Sequence, residues 1–366
     1  MFGAFFMADE WKNIIRVACI YATTVIGAGF ASGREILQFF SIYRSGGFYG
    51  ILLAGFLFSI IGSFVLERVY GDRIRNYEEF IFPVYGWFIG WVIEIAVAVF
   101  MLCLFCIMIA GAGSVITDRF AIPYFYSVLL MGIITMVLIF TNIKGIVALS
   151  TFVTPVLIAG IILAGLYILF FSDREVFQVS AFITRLTGNW FISSILYVSY
   201  NSILAIVMMC SLLPYLKSVK TARIGGILGG GMLCLAAFVI NGALFVFYPA
   251  VHEKELPVLA ILKNFNPAAG NFYALILWLA MLTSAVTSGY CFAERTANSL
   301  KADKRLIALI LCASGIPLSM LGFSRLIAII YPIFGYLGLF MILVILLHGI
   351  LSLRKGAPPS GRYGRK

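Results

Sequence analysis

Residues Ile26 to Phe40 read IGAGFASGREILQFF and lie inside an apolar run. Gly27, Gly29 and Gly33 each disfavour a helix by about 1 kcal/mol relative to alanine, and Arg34 and Glu35 follow at once. In lipid an unpaired backbone N–H or C=O costs several kcal/mol. An unwound stretch is tolerable there only where a ligand, an ion or water satisfies it. Unwinding over Gly27, Ala28, Gly29, Phe30, Ala31, Ser32 and Gly33 would expose amides, expected at Phe30, Ala31 and Ser32, that point at an anionic group such as a carboxylate. Gly29 and Gly33 also form a G-x-x-x-G, which marks close helix packing, and the glycines alone leave both readings open. Arg34 and Glu35 cannot meet each other on one helix face, so their partners lie elsewhere. Facing a water-filled outer vestibule, they would gate it, bind charged parts of a solute or take part in proton linkage.

Three further groups could do chemistry. SYNS, residues 199–202, interrupts another apolar run. There Tyr197, Ser199, Tyr200, Asn201 and Ser202 would line a second break, with Asn201 able to donate and accept together. Ser284, Thr287 and Ser288 stand three and four residues apart, on one face of a helix. Their oxygens suit a hard cation such as Na⁺, although hydroxyls in membrane helices often bond the carbonyl one turn back. Glu94 lies deep in GWVIEIAVAVF. A carboxylate costs about 2.5–3.5 kcal/mol at such a depth, so it should face protein or water, as a proton carrier or as the partner of a cation such as Arg16.

The elements that position these groups are membrane helices. Of 366 residues, 62% are hydrophobic and 11% charged, and the mean hydropathy is +1.06. A soluble domain is about half apolar and a quarter charged. Continuous apolar runs read as about ten spanning helices, at 13–42, 49–67, 87–113, 124–142, 147–171, 190–215, 224–248, 271–292, 306–323 and 326–351. The stretch YPAVHEKELPVLAILKNFNPAAG, between the seventh and eighth, is too polar to span and reads as a short helix on the outer surface. The net charge of +11 falls in alternate loops, with Arg68, Arg73, Arg75, Lys217, Lys220 and Lys304 on one side, so it speaks for topology and not for nucleic acid. Both termini are expected to be cytoplasmic, in a multi-pass protein of the cell (inner) membrane. All seven cysteines fall in apolar spans and read as core residues, and IGGILGGGM at 224–232 reads as a helix-packing face. No H-E-x-x-H, G-x-S-x-G or Walker sequence is present, and the two histidines (His252 and His348) lie far apart, so enzyme chemistry is not indicated.

The chain divides into a cytoplasmic N-terminus (1–12), five helices (13–171), an extracytoplasmic linker (172–189), five more helices (190–351) and a basic cytoplasmic tail (352–366). Five crossings per half force the halves into opposite orientation. Each half opens on a long span with an interruption near its middle, the sequence mark of a secondary transporter's binding site. IGAGFASGREILQFF resembles the signature of YkvI-like bacterial membrane proteins, a family classed with amino-acid permeases in a distant branch of the amino acid–polyamine–organocation transporters. The resemblance implies an all-α LeuT-like fold with a 5+5 inverted repeat, discontinuous first and sixth helices, and alternating access. It further implies that carbonyls near Thr23 and Ile26 would join the Ser284 carbonyl and the Thr287 and Ser288 hydroxyls around Na⁺, with no other cofactor. The expected function is secondary transport of a small zwitterionic or anionic solute, an amino acid, coupled to sodium. A proton-coupled transporter or exchanger of another solute, and an ion channel, are the alternatives.

Overall fold

The computed structural model describes residues 2–75, 77–140, 143–171 and 189–354. The linker at 172–188 and the tail beyond Arg354 lie outside the described residues. Among the described residues the regular elements are all helices: α1 (Phe2–Val25), α2 (Ala28–Ala31), α3 (Arg34–Phe39), α4 (Ser45–Gly71), α5 (Tyr77–Phe120), α6 (Tyr124–Ile139), α7 (Ile143–Phe171), α8 (Trp190–Cys210), α9 (Val219–Val246), α10 (Tyr248–Val251), α11 (Pro257–Phe265), α12 (Pro267–Leu300), α13 (Lys304–Ser319) and α14 (Phe323–Arg354). Each expected span falls on helix, the first being shared by α1, α2 and α3. Within α5, Gly86 leaves the helical region at φ 72°, so the crossing begins at Trp87, which is 75% exposed beside Phe88. Large apolar side chains are exposed along the flanks, among them Phe56, Phe272, Leu275 and Ile333. A surface so apolar belongs in lipid.

Equivalent helices of the two halves pack against each other and run antiparallel. On α4 and α9, Gly55 lies by Cys234, Ser59 by Gly230 and Ser63 by Gly226. On α5 and α12, Glu94 lies by Arg295, and Phe105 and Gly111 lie by Gly289 and Met281. The first span meets α8 in the same sense: Phe39 O accepts from Ser193 Oγ at 2.7 Å, and Arg16 stacks over Tyr215 just past the far end of α8. Antiparallel contact between counterparts is what an inverted repeat requires. The 224–232 glycines serve this packing: Gly226 and Gly230 admit the α4 backbone, while Gly225 and Gly229 admit Val17 and Tyr21 of α1.

Two sequence expectations change. The stretch after α9 does form a short helix with an outer face, Asn264 and Phe265 being exposed, but α11 also buries Val258, Leu259, Ile261 and Leu262, and Val258 N bonds Ser32 O next to α2. The expected break at 199–202 is absent, and α8 is helical from Trp190 to Cys210. Ser199 Oγ donates to Ile195 O at 2.6 Å, Asn201 Nδ2 to Tyr197 O at 3.0 Å and Ser202 Oγ to Val198 O at 2.7 Å. Polar side chains that return a bond to their own helix do not demand unwinding. The run also contains no glycine, and α14 lies directly on it, with Gly335 and Gly338 against Leu196 and Ser199. The first helix is therefore discontinuous and the sixth is not.

Candidate functional site

The first span loses its helix twice within eight residues. α1 ends at Val25, and Gly27, in extended backbone, starts the single turn of α2. Gly33 then adopts the left-handed region at φ 81° before α3 begins, where a side chain would be strained. Around the first interruption the N–H groups of Ala28, Gly29 and Phe30, and the carbonyls of Thr23, Thr24 and Ile26, have no backbone partner among the described residues. The free amides are thus shifted from those expected, because Ala31 N donates to Gly27 O and Ser32 N to Ala28 O. Donors and acceptors lie side by side at the middle of a buried span, where each unpaired group is costly.

Glu35 is also placed differently. It does not face a water-filled vestibule: it is 3% exposed. Its Oε1 lies over Gly29, so close that a Cβ there would overlap it. Its Oε2 accepts from Tyr200 Oη at 2.9 Å. Tyr200 stacks on Tyr331 of α14, with ring centroids 4.4 Å apart, and packs with Tyr197 and Phe39. Phe100 of α5 closes the group at 6.5 Å from Tyr200, and Tyr197 Oη is buried without a partner. The site thus joins Gly29, Glu35, Tyr197 and Tyr200 from the sequence reading with Phe100 and Tyr331, which that reading missed. YPIFGY around Tyr331 resembles any aromatic-rich membrane helix, so only the fold brings that residue in.

The α11 end of the site is closed. Arg34 Nη1 donates to His252 O at 2.7 Å and Lys254 O at 3.1 Å. Val258 N donates to Ser32 O at 3.1 Å, and Tyr273 Oη of α12 to Ala31 O at 2.6 Å. The same segment is tied to α14 and α5, through Ser324 N to Glu255 Oε2 at 2.7 Å and an ion pair between Lys263 and Asp118. Gly33 leaves room for Val258, so the left-handed turn and the closure share one residue. Toward the other end Thr23 and Gly27 are partly exposed, as are Ser284 and Ser288, and Thr287 is exposed. At 100° per residue, Ser284 and Ser288 lie on the side of α12 turned away from the exposed Phe272 and Leu275, whereas Thr287 lies about 60° from Phe272.

The hydroxyls of the expected cation site bond within their own helices. Thr287 Oγ1 donates to Thr283 O and Ser288 Oγ to Ser284 O, and Thr23 Oγ1 donates to Ile20 O. Glu94 pairs with Arg295 of α12, not with Arg16. Their side chains are 13% and 23% exposed, and the pair ties α5 to α12. Removing one partner strands a half-buried charge, so Glu94→Gln and Arg295→Gln are each expected to lower stability by about 1–3 kcal/mol. The double variant should recover part of that loss in thermal unfolding in detergent. Strictly additive losses would show that the pair is not coupled.

No family model matches the chain. It is 28% identical over 338 residues to the uncharacterized membrane protein YkvI of Bacillus subtilis (strain 168), covering 91% of this chain and 95% of that one. To the uncharacterized protein YyaD of the same organism it is 26% identical, covering 93% and 98%. Among solved structures it superposes on the inward-facing conformation of Mhp1 with a TM-score of 0.63 at 13% identity, covering 93% of this chain and 77% of Mhp1. On a manganese transporter of Eremococcus coleocola the TM-score is 0.58 at 13% identity, covering 96% and 90%. The fold is LeuT-like. The likeness to YkvI, first seen in one helix, extends along nearly the whole chain. At these identities the structural neighbours speak to fold and leave the cargo open.

Proposed function

We propose that this chain is a secondary transporter that carries a small zwitterion, an amino acid, by alternating access. The observation that carries the reading is the interrupted first span, with three free amides and three free carbonyls beside a buried carboxylate. A zwitterion needs donors for its carboxylate and acceptors for its ammonium group, and one unwound segment offers both without fixed charge. The closed α11 end and the partly exposed polar positions toward the other end fit one of the two access states such a carrier must visit. With the basic loops taken as cytoplasmic, the closed end faces outward. An enzyme would need a nucleophile or metal centre that the site lacks, and a channel would not need one end sealed by hydrogen bonds.

The fold itself does not choose the cargo. One neighbour is titled a manganese transporter, and Mhp1 is described as a nucleobase-cation-symport-1 family transporter. Against a metal ion as cargo here, no group of three or more His, Cys, Asp or Glu side chains is placed to hold one among the described residues. The test is uptake of a labelled L-amino-acid mixture into proteoliposomes, under a sodium gradient and separately under a proton gradient. Saturable uptake driven by either gradient is the expected result. A conductance that does not saturate would replace the carrier by a channel.

A further inference from the structure

We propose that Glu35 is a protonation site through which transport is coupled to protons, its neutral form being the one held in the closed arrangement of the α11 end. The proposal rests on the solute site described above and adds the coupling ion to it. Glu35 is the one charged side chain fully buried among the described residues. A carboxylate in that position is costly to keep ionised without a cation, and the side chains around it bring no cation, only tyrosine hydroxyls. From α8 it meets the Tyr200 hydroxyl at 2.9 Å, with Tyr197 beside it in the same ring cluster. From α14 it meets Tyr331. Phe100 of α5 completes the aromatic wall around Tyr200, while α9 reaches this region with Leu244, beside Gly33, and with Asn241, which holds Ser41. From α11 the nearby side chain is Val258, against Gly33. Arg34 is the neighbouring cation in sequence, but its guanidinium donates to His252 O and Lys254 O and lies near Glu255 and Tyr248.

The geometry links the proton to the solute. Glu35 Oε1 lies over Gly29, whose amide is one of the three free to receive a solute carboxylate. Two adjacent carboxylates cannot both stay ionised in a dry site. A proton taken up from water onto Glu35 turns a singly charged group into a neutral one, and the solute's negative charge then enters without repulsion. Opening the α11 end would lift α3 from α11 and return Glu35 to water, where it ionises.

Infrared titration of the protein reconstituted in lipid tests the protonation whatever the solute is. Wild type should show a buried carboxylic-acid C=O band near neutral pH that disappears on raising the pH and is missing in Glu35→Gln. Tyr200→Phe removes the hydroxyl that bonds Glu35 Oε2, so the band should remain but move in frequency. That variant also keeps the test usable if the glutamine variant folds poorly. In proteoliposomes given the labelled amino-acid mixture, proton-driven accumulation should fall about tenfold or more in Glu35→Gln, the size of an ordinary coupling free energy. Exchange should lose its pH dependence. A wild-type spectrum with no band assignable to Glu35 would overturn the proposal, as would accumulation driven by sodium alone and indifferent to Glu35→Gln. Failure of wild type to move any amino acid, with the band present, counts against the solute reading and leaves the protonation assigned.

Discussion

Gly29→Leu is expected to abolish solute uptake while leaving a folded, monodisperse protein. A Cβ at Gly29 would overlap Glu35 Oε1 and come within 2.8 Å of Glu35 Cδ. The carboxylate cannot simply move aside, because its other oxygen is held by Tyr200 at 2.9 Å and aromatic rings enclose it. A leucine would also cover the free amides of Ala28 and Phe30. Overpacking of this kind costs about 1–3 kcal/mol, and a loss of about 3 kcal/mol in binding weakens affinity by about two orders of magnitude. The damage should stay local, since α2 is one turn long and the α4–α9 and α5–α12 pairs that hold the scaffold do not depend on it. Gly27→Ala is the control: nothing lies within 4 Å of a Cβ there and its backbone is extended at φ −94°, so uptake should change little. The measurement is uptake of the labelled mixture beside size-exclusion profiles of both variants. Unchanged affinity in Gly29→Leu would reject the unwound segment as the solute site.

The contrast between the two interruptions shows how far the residues could be read in advance. Glycine acts on the backbone directly, so three of them within seven residues announced a weakness in the first helix that the fold then used. Serine and asparagine act through side chains, which can serve a break or bond back to their own helix. At 199–202 they bond back, and no local signal separates the two outcomes. Helix positions were legible because hydrophobic runs of spanning length have few alternatives in lipid. Partners across the bundle were not: Glu94 meets Arg295, 201 residues away, and Glu35 meets Tyr200, 165 residues away. The burial of Glu35 likewise comes from partners far along the chain, Tyr200 of α8 and Tyr331, which stacks on it from α14.

Gly230→Leu is expected to prevent recovery of folded protein, although Gly231→Leu, the next residue along, should be tolerated. At Gly230 an added Cβ would overlap Ser59 N and lie 2.7 Å from Ser59 Cα. Those are backbone atoms of a helix that cannot yield by changing a rotamer. One turn earlier, Gly226 is confined by Ser63 N and by Gly62 C at 2.5 Å, so the contact between α4 and α9 is made along its length by missing side chains. In lipid the hydrophobic effect does not hold two apolar helices together, and close backbone approach supplies the packing in its place. Forcing the pair apart should cost about 3 kcal/mol or more, beyond the usual range for overpacking because backbone must shift. Gly231 has nothing within 4 Å of its Cβ, and leucine there gains helix propensity of up to about 1 kcal/mol. Thermal unfolding in detergent, with the yield of monodisperse protein, separates the two variants. Equal stability would mean that α4 and α9 do not form the seam between the inverted halves, and the pairing of helices inferred from it would fail as well.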